Sequence, residues 1–278
     1  MEVVLIDGTY ELFRHYYALP PAKDADGREV AAVRGVVQSV LAMITGGARY
    51  VGVATDHVIE SFRNALWEDY KTSAGMEPAL LAQFHPLEDA LVAMGVATWP
   101  MIELEADDAL ASAAYLAAND VGVRKVSIWT PDKDLAQCVS GDRVVQVDRR
   151  SGQIRNEQGV CEKFGVAPVF IPDYLALVGD AADGYPGIPG IGSKTAARLV
   201  TQYGHIEQFP AEILREHLER ALLFKNLATL RLDAPLFRDV DQLRWTGPTE
   251  RFTSIAESIG DSRLTSRLYN LAKRQTKV

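Results

Sequence analysis

Three apolar runs in the first half of the chain each close on an aspartate: "EVVLID" at Asp7, "YVGVATD" at Asp56 and "KVSIWTPD" at Asp132. Short apolar runs separated by helical periodicity are the pattern of βαβ units, in which every strand of a parallel sheet ends on the same edge. The helical patterns are "VAAVRGVVQSVLAMI", the alanine-rich "ADDALASAAYLAAND" and a shorter one through Leu12 and Tyr16. "VVQVD" reads as a further strand, and "DRRSGQIRN" has the turn chemistry of a hairpin. The expected fold is therefore α/β with a parallel sheet, over about residues 1–165. A polar segment from His57 to His85 has no clear periodicity. After about residue 160 only helical patterns remain, in "VFIPDYLALVG", "SKTAARLVTQYG" and "LREHLERALLFKNLATLRL", so residues 166–278 are expected to be a helical region. A length of 278 residues suits one large or two modest domains, and 47% hydrophobic content supports a core.

Ligands of an open parallel sheet bind beyond the carboxyl ends of its strands. Asp7, Asp56, Asp132 and Asp134 fall there, and Glu105, Asp107 and Asp108 open a helix on the same rim. Asp180 and Asp183 come from the loop "GDAADGYPGIPGIGSKTA". Each acid taken singly also reads as a helix cap or turn residue, and "EADD" suits a helix N-terminus without any metal. Independent capping does not explain why all nine should converge. Like charges packed this closely repel by several kcal/mol unless cations neutralise them. Hard divalent ions prefer carboxylate oxygens, and two of them about 4 Å apart activate water and stabilise a leaving oxygen in phosphoryl transfer.

Other classes are disfavoured. The apolar stretches are interrupted well short of membrane-spanning length, and the N-terminus resembles a strand rather than a signal peptide. Cys138 and Cys161 form no CxxC or Cys/His pattern, which argues against a zinc site or disulfide scaffold and fits a reducing cytoplasm. A formal net charge of -8 means that a nucleic-acid partner must be held by local basic groups or through metal ions. The C-terminal "SRLTSRLYNLAKRQTKV" is the one clearly basic region, and it also reads as a solvated helix end.

In order along the chain, "DGTYELFRHYYAL", "SFRNALWEDYK", "ELEADDALAS", "TPDKDLAQ" and "ALVGDAADGYPGIPGIGSKTAARLV" resemble the 5′-nuclease family, which includes the nuclease domain of bacterial DNA polymerase I and the flap endonucleases. The resemblance spans Glu2 to Gly204. It implies a PIN-like nuclease core with an arch or clamp at about residues 57–90, and a helix-three-turn-helix module in the helical region. It further implies a free-standing, nucleoid-associated enzyme acting as a 5′-3′ exonuclease or flap endonuclease in replication or repair. The nine acids would be ligands of Mg²⁺ or Mn²⁺. By the same resemblance Lys71 and Arg63 would reach the scissile phosphate, Arg14 would contact a phosphate and Tyr70 would stack on a base. The Gly190, Gly192, Lys194 and Thr195 turn would hold a duplex phosphate, with K⁺ on its carbonyls. The implied partner is DNA with a 5′ end, flap or nick.

The sequence departs from that family in two places. Arg63 and Lys71 are the only Lys or Arg between Ser61 and Ala90, a thin supply for gripping a single-stranded flap. Gly184 stands where Asn is frequent, which is expected to loosen the loop. Competing readings are a PIN-class ribonuclease and a non-catalytic binder of branched DNA. A haloacid-dehalogenase phosphatase is a third, but Leu5 stands where its nucleophilic aspartate belongs.

Overall fold

The computed structural model describes residues 1–275. β1 (Glu2–Asp7) runs into α1 (Gly8–Ala18), followed by α2 (Ala31–Thr45), β2 (Tyr50–Asp56), α3 (Pro78–Leu81), α4 (Phe84–Ala93) and β3 (Ala97–Met101). Next come α5 (Ala106–Asn119), β4 (Lys125–Trp129), β5 (Val144–Val147) and β6 (Ile154–Arg155). The rest is helical: α6 (Glu157–Phe164), α7 (Ile171–Val178), α8 (Ser193–Tyr203), α9 (Ala211–Leu214), α10 (Leu218–Ala228), α11 (Phe252–Ser258) and α12 (Arg263–Gln275).

The strands lie in the order β3-β2-β1-β4-β5-β6. All pairs are parallel except β5 with β6, which is antiparallel as the "DRRSGQIRN" turn requires. Central strands of such a sheet are covered on both faces and so read as continuous apolar runs. Val3 and Leu5 pack with Ala109, Ala113 and Leu110 of α5 on one face. Ile6 points the other way, into Val33, Val36, Val37 and Val40 of α2 and Leu87 and Leu91 of α4. The chain winds outward from β1 on one side and from β4 on the other. The crevice between their carboxyl ends is the switch point where open α/β sheets bind ligands.

β3 has no counterpart in the sequence reading, because Thr98 and Pro100 interrupt any apolar run. Its edge position tolerates the missing N–H of Pro100. The segment expected as an arch is instead a packed connection. It consists of a 3₁₀ turn at Phe62–Ala65, the single turn of α3, and α4, with Ile59, Leu80, Phe84 and Leu87 buried. Among the described residues no long helix stands over the rim here, since these apolar side chains are drawn into the core.

A third apolar cluster joins Ile171, Leu175, Tyr185, Val200 and Phe224 of the helical lobe to Tyr70, Ala136 and Val139. The chain then returns to the sheet layer. Leu230 and Leu243 pack with α5, while Trp245, Phe252, Leu264 and Leu268 complete the core beside α2 and α4. α12 buries Leu264 and Leu268 and exposes Arg263, Lys273 and Arg274, a solvated helix face. Thr276 to Val278, also part of the basic segment, lie outside the described residues. Among the described residues no helix is long and apolar enough to cross a membrane. Both cysteines are free thiols.

Candidate active site

The parallel sheet brings the predicted acids to one rim, and local hydrogen bonds set each in place. Asp7 caps α1 by accepting from the Tyr10 N–H at 2.8 Å, and its other oxygen accepts from the Thr130 hydroxyl at 2.9 Å. That ties β1 to the loop after β4. Gly8 allows α1 to start immediately: a Cβ there would lie 2.7–2.8 Å from Thr55, Ala54 and Val53. Asp56, at the end of β2, accepts from the Ala106 N–H at 2.8 Å and so fixes the start of α5. Asp132 accepts from the Asp134 N–H at 3.0 Å, which folds the β4 loop back on itself. Asp180 accepts from the Ala182 N–H at 2.9 Å and its other oxygen lies 2.8 Å from Lys133 Nζ.

Two lysines enter this acidic crevice. Lys71 Nζ bridges Glu105 Oε2 at 2.8 Å and Asp183 Oδ1 at 3.0 Å, and its backbone N–H donates to the Asp183 carbonyl. Burial works against the Glu105 charge, but Lys71 and Arg63 outweigh it and hold the carboxyl below its usual range. Lys71 loses solvation as well, yet Asp183 and Glu105 push its ammonium well up. Asp7, Asp56, Asp107, Asp132 and Asp134 have no such ion pair among the described residues. Burial, followed by repulsion from Asp56 and Asp132, raises Asp7 to about 7 against the bonds from Tyr10 and Thr130. Burial and the charges of Asp132 and Asp7 push Asp107 well up, and burial with Asp132, Asp183 and Asp180 does the same to Asp134. Asp56 and Asp183 are also raised, chiefly by burial.

The donor set fits a hard divalent cation. Asp134, Asp180 and Asp183 each offer an oxygen, all within 4.8 Å of one another. Asp134 Oδ1 is buried without a hydrogen-bond partner among the described residues. A buried, unsatisfied carboxylate oxygen is costly, and a cation among three oxygen donors relieves it.

Four expectations are corrected. Asp108 is fully buried, and the Arg63 guanidinium forks onto it at 2.7 and 2.8 Å. Its oxygens also accept from the backbone N–H groups of Glu105 and Arg231, which leaves no face for a metal. Arg63 is itself 1% exposed and donates to the Leu227 and Thr229 carbonyls. It clamps the helical lobe to α5 and does not reach a substrate phosphate. Arg63→Ala should lower stability by about 3 kcal/mol by stranding a buried carboxylate, measured by urea unfolding. Tyr70 is also buried; its hydroxyl donates to Glu105 Oε2 at 3.3 Å, so its ring is a wall of the site and not a stacking platform. Nor does Gly184 loosen its loop. It has φ +85°, a Cβ there would lie 1.9 Å from the Asp69 carbonyl oxygen, and its own carbonyl accepts from Trp67 Nε1 at 3.1 Å. The close approach fastens the Asp180–Asp183 loop to the segment carrying Lys71.

The helical module lies further along the same loop. Gly190 and Gly192 are exposed, and Gly192 precedes α8, whose first turn presents the N–H groups of Ser193, Lys194 and the half-buried Thr195. This is the backbone arrangement that binds a phosphate. Arg14 lies on α1, held by buried Glu11 at 2.6 Å, with its side chain part-exposed. Sequence reasoning passed over Lys133 and Thr130, although both stand in "TPDKD"; their roles depend on the loop folding back under Asp7 and Asp180. It also missed Arg149, which lies over the Trp129 ring and near Glu11. Its hairpin position carries no motif.

Comparison with known proteins agrees with this architecture. Residues 2–165 match the family described as 5′-3′ exonuclease, N-terminal resolvase-like domain, and residues 166–251 match 5′-3′ exonuclease, C-terminal SAM fold. DNA polymerase I of Pseudomonas aeruginosa is 34% identical over 91% of this chain, which spans only 30% of that protein. A 5′-3′ exonuclease of Aquifex aeolicus is 33% identical, over 88% of this chain and 86% of its own length. The bacteriophage T5 flap endonuclease, solved as a pseudo-enzyme-product complex with DNA and metal ions, superposes with a TM-score of 0.63 at 19% identity, covering 98% of this chain and 100% of that one. It shares the parallel-sheet core and helical lobe. With two family matches that together run from residue 2 to residue 251, the chain belongs to the 5′-3′ exonuclease family.

Proposed function

We propose that the protein is a divalent-metal-dependent 5′ nuclease that hydrolyses DNA phosphodiesters as a 5′-3′ exonuclease or flap endonuclease, using Mg²⁺ or Mn²⁺. The observation that carries this is the convergence of Asp134, Asp180 and Asp183, with Asp134 Oδ1 unpaired, beside a lysine that bridges Asp183 to one further acid, Glu105. Asp7, Asp56, Glu105, Asp107 and Asp132 complete the donor set. When bound, the divalent ions neutralise developing charge and activate water for attack on phosphorus.

The chain's own groups do the remaining work. Glu105 and Asp183 hold the Lys71 ammonium protonated at the rim, poised to donate to a non-bridging phosphate oxygen. The first turn of α8 and Lys194 anchor a phosphate of the duplex by backbone N–H groups, which read no sequence. Arg14, part-exposed on α1, supplies a further phosphate contact. The Gly184 clasp fixes the distance between anchor and cutting site. A K⁺ at the Gly190 turn belongs to the same reading. We assign residues 1–165 to the nuclease core, which the returning chain from about Leu230 onward completes, and the helices from residue 166 up to that return to the DNA-binding region, and place the enzyme in the cytoplasm at the nucleoid. The solved T5 complex with DNA and metal ions supports this reading.

The packed segment at 57–90 leaves no basic arch to thread a single strand, so the free 5′ end is not a requirement. A panel of end-labelled flap, nicked and 5′-overhang substrates tests this in Mg²⁺ and in Mn²⁺. Cleavage near the junction, unaffected by a bulky block on the 5′ end, is expected. No cleavage of any branched substrate would remove the assignment.

A further inference from the structure

Lys133 lies in sequence between two of the rim acids, Asp132 and Asp134, yet its side chain does not leave the site. Nζ is 2.8 Å from Asp180 Oδ2, while Asp180 itself is buried. The other Asp180 oxygen already accepts from the Ala182 N–H. Both Asp180 oxygens therefore have a partner within the protein, whereas neighbouring Asp134 keeps a buried oxygen unpaired. Lys71 compensates Glu105 and Asp183 in the same way. Among the described residues no Lys or Arg is within ion-pair distance of Asp7, Asp56, Asp107, Asp132 or Asp134. The acidic rim is thus divided into an open half and a half already occupied by ammonium groups.

We propose that Lys133 is an internal cation that holds the Asp180 niche, so that a divalent ion shared by Asp134, Asp180 and Asp183 binds only as Lys133 swings away. The inference rests on the metal reading given above. An ammonium and a divalent ion attracted to one carboxylate exclude each other, because two cations so close repel. The side chain is 35% exposed, so it has an open path into solvent. The first ion then enters the uncompensated acids, and the second binds more weakly because it competes with Lys133. Lys133 is in this sense a positioning residue that sets the order of loading.

Mn²⁺ binding to the full chain, measured by calorimetry and by electron paramagnetic resonance without DNA, tests this independently of cleavage. Wild type should show one tighter and one weaker class of site. Lys133→Met should tighten the weaker class by about tenfold, and Lys133→Arg should keep wild-type affinity. Asp180→Asn should remove that class in every background. A purely structural Lys133 would lower thermal stability in EDTA when changed to Met but leave Mn²⁺ affinity where it was; that result overturns the proposal. Absence of Mn²⁺ binding by wild type would overturn the metal reading itself, which is a distinguishable failure.

Discussion

Asp134→Asn is expected to reduce cleavage at least about a thousandfold, while the metal-free protein becomes more stable than wild type. The two effects have one origin. Burial and the charges of Asp132, Asp183 and Asp180 already push the Asp134 carboxyl well up, so an uncharged amide of the same shape relieves repulsion in the absence of metal. The same substitution removes an oxygen donor that cations require. A residue kept for structure would behave in the opposite way, losing stability on substitution. DNA binding, which the proposed function assigns to Arg14 and the first turn of α8, should change by only a few fold. Urea unfolding in EDTA, gel-shift affinity and single-turnover cleavage together check all three parts. Lower stability in EDTA would show that Asp134 is held by interactions other than those seen here.

The second large effect concerns pH. Asp7 is raised to about 7 in the folded protein from 3.8 in the unfolded chain, so between these values the native state holds more protons. Stability therefore falls as pH rises through this window, by about 4 kcal/mol from Asp7 alone at about 1.36 kcal/mol per unit. Asp107, Asp134, Asp56 and Asp183 act in the same direction. Glu11 acts oppositely: burial opposes its charge, but His15 and Arg14 hold it at about 2, and its stabilisation is complete by about pH 5. The interval from pH 5 to 7 thus belongs to the rim acids. In EDTA the unfolding free energy should drop across it, and saturating Mg²⁺ should flatten the profile by binding the ionised form. A metal-free stability that rises from pH 5 to 7 would contradict the electrostatic account.

The sequence discloses these acids because the parallel sheet turns a one-dimensional pattern into a common edge. Asp7, Asp56 and Asp132 follow apolar strands, and strands of one direction must end together. The Gly-Pro loop is equally legible, since Gly190 and Gly192 precede an obvious helix. What burial decides is not legible. Arg63, Tyr70 and Asp108 have the residue types of an active site and stand among its motifs, but the return of the chain at Leu227 to Arg231 encloses Arg63 and Asp108. That contact spans more than a hundred residues, and no local spacing records it. The 57–90 segment was opaque for a related reason. Trp67 and Asp69 meet Gly184, and Ile59, Leu80, Phe84 and Leu87 are drawn into the core, contacts with distant parts of the chain that local spacing does not record.

In the proposed function, the rim acids hold the divalent ions required for cleavage. Anomalous diffraction from crystals grown in Mn²⁺ tests it most directly. Two peaks are predicted in the crevice between β1 and β4, one in contact with Asp134, Asp180 and Asp183 and one with the acids around Asp7 and Asp107. Mn²⁺ seated instead on the stacked His57 and His85 pair beside Glu88, with the rim left empty, would contradict the account.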